Sequence, residues 1–358
     1  MKRLLLRSLP IAVPVLSIVA SYFITDPFRV LRTYRDPTKN CVVSLNKDHI
    51  GTTAYLTLKD SMHYDAFLFG SSRTMAFRFT DWRTYLPAEA VPFAFDANKE
   101  SLFGIRGKVR LIRSTGGRIA HALLLICPLH TFAPMKNSSD ALYIKDPRVS
   151  GESRYAFHKT MLSAYFSNLF FVKYLDHRLT GRKRPYMLDV LTFTNSHSFD
   201  PISMERGIPV ETIIEADPER YYRENADLFP ERAATAVQSY PAMIAPEHVH
   251  ALREVRGAFD RDGTRYAIVI SPLYDQKRID AKDLAVLRAI FGAEHVFDHS
   301  GVNEYTSDVH NYFESSHFRP SVGRRILEEI HAVGPRTGPA MVQQSVDSNA
   351  MVPRASER

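Results

Sequence analysis

Two short stretches, far apart in the chain, carry the residue types that acyl chemistry needs. The first is Gly70-Ser71-Ser72-Arg73, directly after the short apolar run 65–69. A glycine permits a sharp turn there, and a serine at the start of the following helix has its oxygen exposed beside backbone N–H groups. A serine hydroxyl is a weak nucleophile until a base takes its proton, so a histidine has to reach it. The second stretch supplies one in Glu314-Ser315-Ser316-His317. A carboxylate three residues before a histidine can fold back in a turn and accept the Nδ1–H. That fixes the tautomer, leaves Nε2 for the serine and stabilises the imidazolium formed during reaction. Each signal alone is also what a helix cap or a solvated turn looks like. Their joint placement, in the first βα turn and in the loop before the last helix, is more specific.

The surrounding pattern supplies elements able to position both stretches. Residues 65–69 read as a buried strand, 90–95 as a weaker one, and 120–127 as a nearly continuous apolar run ended by Pro128. Such a run between helices suits a parallel strand covered on both faces. Spacing predicts helices over 105–113, 154–179, 246–261, 281–291 and 320–331, and strands over 266–270 and 295–297. Pro246 and Pro320 suit first-turn positions. This alternation predicts an α/β fold, a three-layer sandwich with a mostly parallel central sheet. Ligands of such sheets bind beyond the carboxyl ends of the strands, which directs attention to the residues just after each apolar run. The helix over 154–179 aligns Phe157, Met161, Tyr165, Leu169 and Val172. That face packs on the core in the plainer reading; a membrane surface or a substrate groove are the other two.

Residues 9–24 form an uncharged apolar stretch behind Lys2, Arg3 and Arg7. Counted from Leu4, with Arg7 snorkelling, it reaches about twenty residues, enough to span a bilayer. A retained anchor is preferred. The alternatives are a cleaved signal peptide, for which no Ala-x-Ala site exists, and a helix packed on the protein itself. Basic residues ahead of the stretch favour an exported body, while Arg29, Arg32 and Arg35 pull the other way. The expected organisation is one N-terminal membrane helix or signal over 1–25 and a turn-rich linker and domain entry over 26–60. An α/β domain over 61–334 follows, with an insertion around 150–237, and then a disordered tail over 335–358.

Composition narrows the function classes. With 45% hydrophobic and 24% charged residues, the chain is neither disordered throughout nor a polytopic membrane protein. The net charge of +7 gathers partly in the N-terminal flank and at residues 182–184. No basic stripe interleaved with aromatics appears, so no nucleic-acid partner is expected. Cys41 and Cys127 cannot build a disulfide framework or a cysteine zinc site, and Cys127 reads as a buried thiol. His248 and His250 would face different ways on a helix, and His295, His299, His310 and His317 lack ligand spacing with carboxylates. Neither a metal nor another cofactor is expected. Arg73 is a candidate to hold a substrate carboxylate or phosphate, or else packs beside its turn. Asp275, after Ser271-Pro272 at another strand end, is a candidate border of the cleft.

These motifs resemble the SGNH (GDSL-like) hydrolase superfamily, especially its membrane-anchored branch, which includes acyl-transfer proteins for bacterial surface polymers. In that family a Gly-Asp-Ser block carries the nucleophile after the first strand, and a late Asp-x-x-His block supplies acid and base. Gly70-Ser71-Ser72 matches the first block with Ser71 in the Asp position, so the resemblance implies Ser72 as nucleophile. Glu314-x-x-His317 matches the last, implying His317 as base and Glu314 as its acid, with Asp308 in reserve. Phe297-Asp298-His299-Ser300-Gly301 and His317-Phe318-Arg319-Pro320 also look like this branch. The resemblance covers residues 65–330 and is weakest over 150–237.

The same resemblance implies an oxyanion site built from the Ser72 backbone N–H and a second-block donor, for which the Ser101 N–H and the Asn98 amide are the substitutes. The family's third-block asparagine has no counterpart in Ile126-Cys127-Pro128-Leu129-His130. Losing one such donor can cost on the order of 3 kcal/mol of transition-state stabilisation. The implied fold is SGNH/flavodoxin-like. The implied activity is a serine O-acyltransferase or esterase acting on a cell-surface or exported polysaccharide, O-acetylation included, through an acyl-Ser72 intermediate. Its partners would be an acyl donor, a polysaccharide acceptor, the membrane and an integral-membrane acyltransferase. Its place would be the bacterial inner membrane, single-pass, with the body in the periplasm or outside the cell. The incomplete second and third blocks leave an alternative, a non-catalytic glycan-binding or assembly protein of the same fold.

Overall fold

The computed structural model describes residues 2–192, 199–232 and 238–332, with the side chains of residues 2–9 and 11 excluded. The tail expected over 335–358 lies outside the described residues, as do parts of the expected insertion. The main helices are α1 (Lys2–Thr25), α2 (Lys47–Met62), α3 (Leu102–Ser114), α4 (Arg154–Phe166), α5 (Phe170–Thr180), α6 (Pro209–Ala216), α7 (Pro246–Asp262), α8 (Ala281–Phe291) and α9 (Pro320–Ala332). Among the described residues no helix is long and apolar enough to cross a membrane; of the stretch expected to span one, the side chains of residues 4–9 and 11 lie outside the description.

Five parallel strands form the centre: β1 (Ala66–Phe69), β2 (Pro92–Ala94), β3 (His121–Ile126), β4 (Arg265–Ile270) and β5 (Val296–Asp298), in the order β2-β1-β3-β4-β5. Leu68 sits between Ala94 and Leu123, which fixes the register of the first three. Helices flank the sheet, an arrangement consistent with a three-layer sandwich. The strands read as apolar runs because both faces are covered; β1 is buried along its whole length. Tyr55 of α2 packs against Phe67, Phe93 and Phe95. From β1 the chain builds outward first to β2 on one side and then to β3 on the other. Such a reversal opens a crevice beyond the carboxyl ends of the two strands that flank it, here β1 and β3.

Two elements differ from the sequence expectation. Residues 47–62, expected within a turn-rich linker, form α2, whose first turn is capped by the Asn46 side chain accepting from the His49 N–H at 2.9 Å. Its apolar periodicity is hidden because the buried face carries Lys47 and Asp48 beside Ile50 and Tyr55. Those charges are paired inside the fold. Lys108 of α3 bridges Asp48, at 3.0 Å, and Glu100, while Lys145 lies 2.6 Å from Glu100. Buried ions of opposite sign with hydrogen-bonding geometry offset their desolvation; a single one would not.

The second difference is in the helix expected over 154–179, which is broken. Asn168 and Leu169 have φ of 50° and 54°, so the chain turns between α4 and α5. Phe157, Met161, Tyr165, Phe170 and Tyr174 form a second apolar cluster with Tyr22, Phe28 and Val30. Leu169 and Val172, aligned with that face by spacing, are exposed instead.

Candidate active site

Gly70 ends β1 with φ +145°, and a Cβ there would come 2.8 Å from the Leu125 carbonyl oxygen. Only glycine lets the chain leave the sheet this close to β3. Ser71, fully buried, caps the 3-10 turn over Ser72–Ala76: its Oγ accepts from the Arg73 N–H at 3.4 Å and lies 3.2 Å from Cys127 Sγ, just past β3. The Ser72 turn is thereby tied to both strands that flank the crevice. Ser72 follows as the first residue of the turn, where leading N–H groups have no intrahelical acceptor.

The histidine arrives on a two-stranded antiparallel hairpin of β6 (Tyr312–Glu314) and β7 (His317–Phe318). Ser72 Oγ lies 2.8 Å from His317 Nε2. His317 Nδ1 is hydrogen-bonded to Glu314 Oε1, whose second oxygen accepts from the Ser316 N–H at 2.9 Å. With Nδ1–H held by a carboxylate, Nε2 is the acceptor and Ser72 the donor. Phe313 stacks on the imidazole, ring centroids 5.5 Å apart and planes within 1°. Close contact of Gly323 in α9 with the Ala76 carbonyl seats the last helix against the serine turn.

Electrostatics leave the histidine neutral at pH 7. Burial pushes the His317 imidazole below its ordinary value, Glu314 pulls it upward, and Arg73 and Arg206 push it down again. Burial raises Glu314, but the hydrogen bonds and charge of His317 and the Ser316 contacts outweigh this and hold it below the usual carboxylate range. His130, in the turn after β3, is pushed down to about 4 by burial and by Arg73 and Lys99. Arg73 thus acts on both histidines, with Arg206 on His317 and Lys99 on His130, while Glu314 is the carboxylate bonded to the His317 ring.

The remaining predicted site residues fall as follows. Ala97 N–H donates to the Gly70 carbonyl at 3.1 Å, which holds the loop after β2 beside the serine turn. Asn98, next in that loop, is half-buried. The Ser101 N–H is committed to Glu100 Oε1 at 2.9 Å, which takes it out of the expected oxyanion role. Arg73 adjoins Ser72 in the turn. Asp308, the reserve acid, is not brought to His317; its Oδ1 accepts from the His310 N–H at 2.8 Å and lies 2.9 Å from His310 Nδ1. Asp275 accepts from the Tyr240 hydroxyl at 2.6 Å. His248 is used structurally, accepting at Nδ1 from the Ala245 N–H and placing Nε2 3.1 Å from the Ala133 carbonyl. Among the described residues no cluster of His, Cys, Asp or Glu could hold a metal ion.

Spacing gave no sign of the residues that hold the hairpin. Tyr221 donates its hydroxyl to the Phe313 carbonyl at 2.6 Å, and Tyr222 donates to that of Tyr312 at 2.7 Å. Arg319 forks onto Glu211 of α6 at 2.8 and 3.1 Å. Arg206, whose charge acts on Glu314 and His317, comes from the same region. Compared with known proteins, the chain matches no family model, no curated protein and no solved structure.

Proposed function

We propose that the chain is a membrane-anchored, SGNH-like serine acyltransferase or esterase acting on a cell-surface or exported polysaccharide. The observation that carries the reading is the Ser72–His317–Glu314 relay, with its 2.8 Å serine–imidazole contact. Its place beside the point where the strand order reverses supports the same reading, as does the flavodoxin-like order itself.

Ser72 Oγ attacks the acyl carbonyl as its proton passes to His317 Nε2, and Glu314 stabilises the imidazolium. Collapse of the tetrahedral adduct breaks the bond to the donor's oxygen, which leaves with the proton from His317. An acceptor hydroxyl, or water, then gives its proton to His317 and attacks acyl-Ser72; the new ester or acid departs and Ser72 regains its proton. The Ser72 N–H faces the developing oxyanion, and Asn98 is the second donor. Arg73 holds an anionic group of donor or acceptor. In this reading α1 is the single-pass anchor at the inner membrane and the body is exported, beside an integral-membrane acyltransferase that supplies the acyl group.

The test is covalent labelling by a fluorophosphonate. Wild type is expected to label and Ser72→Ala to remain unlabelled; no labelling of folded wild type removes the catalytic reading. The commitment of the Ser101 N–H to Glu100 favours a second reading, a non-catalytic glycan-binding or assembly protein. Glycan binding unchanged in Ser72→Ala, with no labelling of wild type, would select it.

A further inference from the structure

The elbow between α4 and α5 places apolar side chains where a water-facing loop would carry polar ones. Phe166 and Leu169 are 42% and 62% exposed, and Val172 is exposed beside them. Asn168 and Leu169 both adopt positive φ, a backbone strain that turns a leucine outward rather than into the adjacent apolar cluster. The position of this elbow along α1 gives it meaning. Tyr165, one residue before Phe166, lies 2.7 Å from Ser21 Oγ through its hydroxyl, and its ring packs on Tyr22 at 5.4 Å. The elbow therefore stands beside residues 21–22 of α1, four residues or roughly 6 Å short of its end at 1.5 Å per residue. A bilayer spanned by α1 up to Ile24 would reach the elbow, at the depth where interfacial apolar groups settle, roughly 5–10 Å into the headgroup boundary.

From the elbow, α5 leads back along the end of α1. Tyr174, His177 and Arg178 line one pocket with Thr25, Pro27 and Arg29. Arg178 is about 13 Å from the elbow along the helix axis. There an open cleft of about 680 Å³ is lined by Arg29, Arg35, Lys39 and Arg178. Among the described residues that line it, the one acid, Asp36, already accepts from the Thr38 N–H and hydroxyl and from the Lys39 N–H. Four cations thus line a cleft at the other end of α5 from the apolar elbow, a charge complement to an anionic membrane surface.

We propose that the elbow and this basic cleft form a second membrane contact, the elbow entering the acyl boundary and the cleft taking anionic lipid headgroups. The proposal rests on α1 being the anchor, as in the function proposed above. It pins the body against the bilayer instead of leaving it swinging on a tether, and so fixes the height of the Ser72 crevice above the lipid.

The test uses the full chain reconstituted in vesicles of phosphatidylglycerol and phosphatidylcholine with brominated acyl chains. Trp82, the chain's single tryptophan, is 3% exposed in the core and serves as the internal reference. Emission from Leu169→Trp is expected to fall about twofold relative to unbrominated vesicles, with the parent unchanged. Each basic residue near an anionic surface is worth roughly fivefold in association. Arg35→Glu with Arg178→Glu is therefore expected to reverse the quenching, and pure phosphatidylcholine to reduce it. Quenching equal in both lipids and indifferent to these substitutions would overturn the headgroup site. Protein that resists alkaline carbonate extraction yet shows no quenching overturns the proposal while the anchor stands, and points to a protein covering the elbow. Extraction by carbonate overturns the anchor and the proposal with it, and fluorophosphonate labelling of Ser72 reports separately on the chemistry.

Discussion

Replacing Glu314 with glutamine would test the relay most directly, because the local geometry dictates how the amide must sit. The carboxylate meets two donors, the Ser316 N–H and His317 Nδ1–H. Glutamine offers one acceptor oxygen. The Ser316 N–H is backbone and cannot change, so the oxygen goes to it and the NH2 turns to Nδ1. The imidazole then carries its proton on Nε2, which faces Ser72 as a donor and cannot take the hydroxyl proton. A charge-assisted hydrogen bond worth roughly 1.5–3 kcal/mol is lost as well. Inverting the tautomer of an oriented base costs about 10⁴ in rate in the best-studied serine relay. A fall of roughly 10³–10⁴, about 4–5.4 kcal/mol, is expected here. Glu314→Asp keeps both acceptors one methylene shorter and is expected to lose only about tenfold. The assay is the second-order rate of fluorophosphonate labelling, which needs the same deprotonation of Ser72 and no knowledge of the natural acyl donor. A glutamine variant labelling within about threefold of wild type would refute the orienting role of Glu314 and the tautomer argument together.

Three further outcomes follow from the same contacts. Because Arg73 pushes the His317 imidazole down, Arg73→Gln should raise its pKa, so the acid limb of labelling, expected below pH 6.5 in wild type, moves to higher pH; an unmoved limb would show that the guanidinium does not act on the base. Lys108→Met leaves Asp48 and Glu100 without their shared cation and should cost about 3–5 kcal/mol in urea unfolding; a loss below about 1 kcal/mol would mean that Lys145 alone neutralises both. The double change Tyr221→Phe with Tyr222→Phe removes both hydroxyl tethers on the hairpin. It should slow labelling by at least about tenfold with little change in the unfolding midpoint, since positioning errors are felt in rate before stability. Equal labelling rates would show that the hairpin holds its place without them.

What could be read along the chain divides by the range of the interaction. β1, β3 and β4 are legible as apolar runs because a parallel strand buried on both faces has no polar side to show. α2 is not, because Lys47 and Asp48 interrupt its apolar face and their partners lie elsewhere, in Asp96, Lys108 and Lys145. The break at Asn168 and Leu169 is equally hidden: the apolar spacing runs straight through it, and only the sign of φ separates two helices from one. The same division holds at the site. Gly70-Ser71-Ser72 and Glu314-x-x-His317 each record a contact made within a few residues, so their types and spacing show in a single chain. The committed Ser101 N–H depends on where the Glu100 carboxylate is drawn by Lys108 and Lys145, and no local spacing records that.

The hairpin that carries Glu314 and His317 depends on the stretch of chain that precedes it. Two strands of three and two residues cannot hold a register in water by themselves. Their support comes from outside the sheet: two tyrosine hydroxyls on successive carbonyls, the Ser315 N–H donating to the Leu228 carbonyl at 3.1 Å, and Arg319 forked onto Glu211. The stretch before them also runs along the sheet, where the Ala94 N–H of edge strand β2 donates to the Ser203 carbonyl at 2.8 Å. Residues 199–228 thus connect the far edge of the sheet to the hairpin that carries His317, closing a loop of contacts around Ser72. A segment that helps hold His317 Nε2 2.8 Å from Ser72 Oγ is under close geometric demand. Its sequence answers to the particular hairpin it braces.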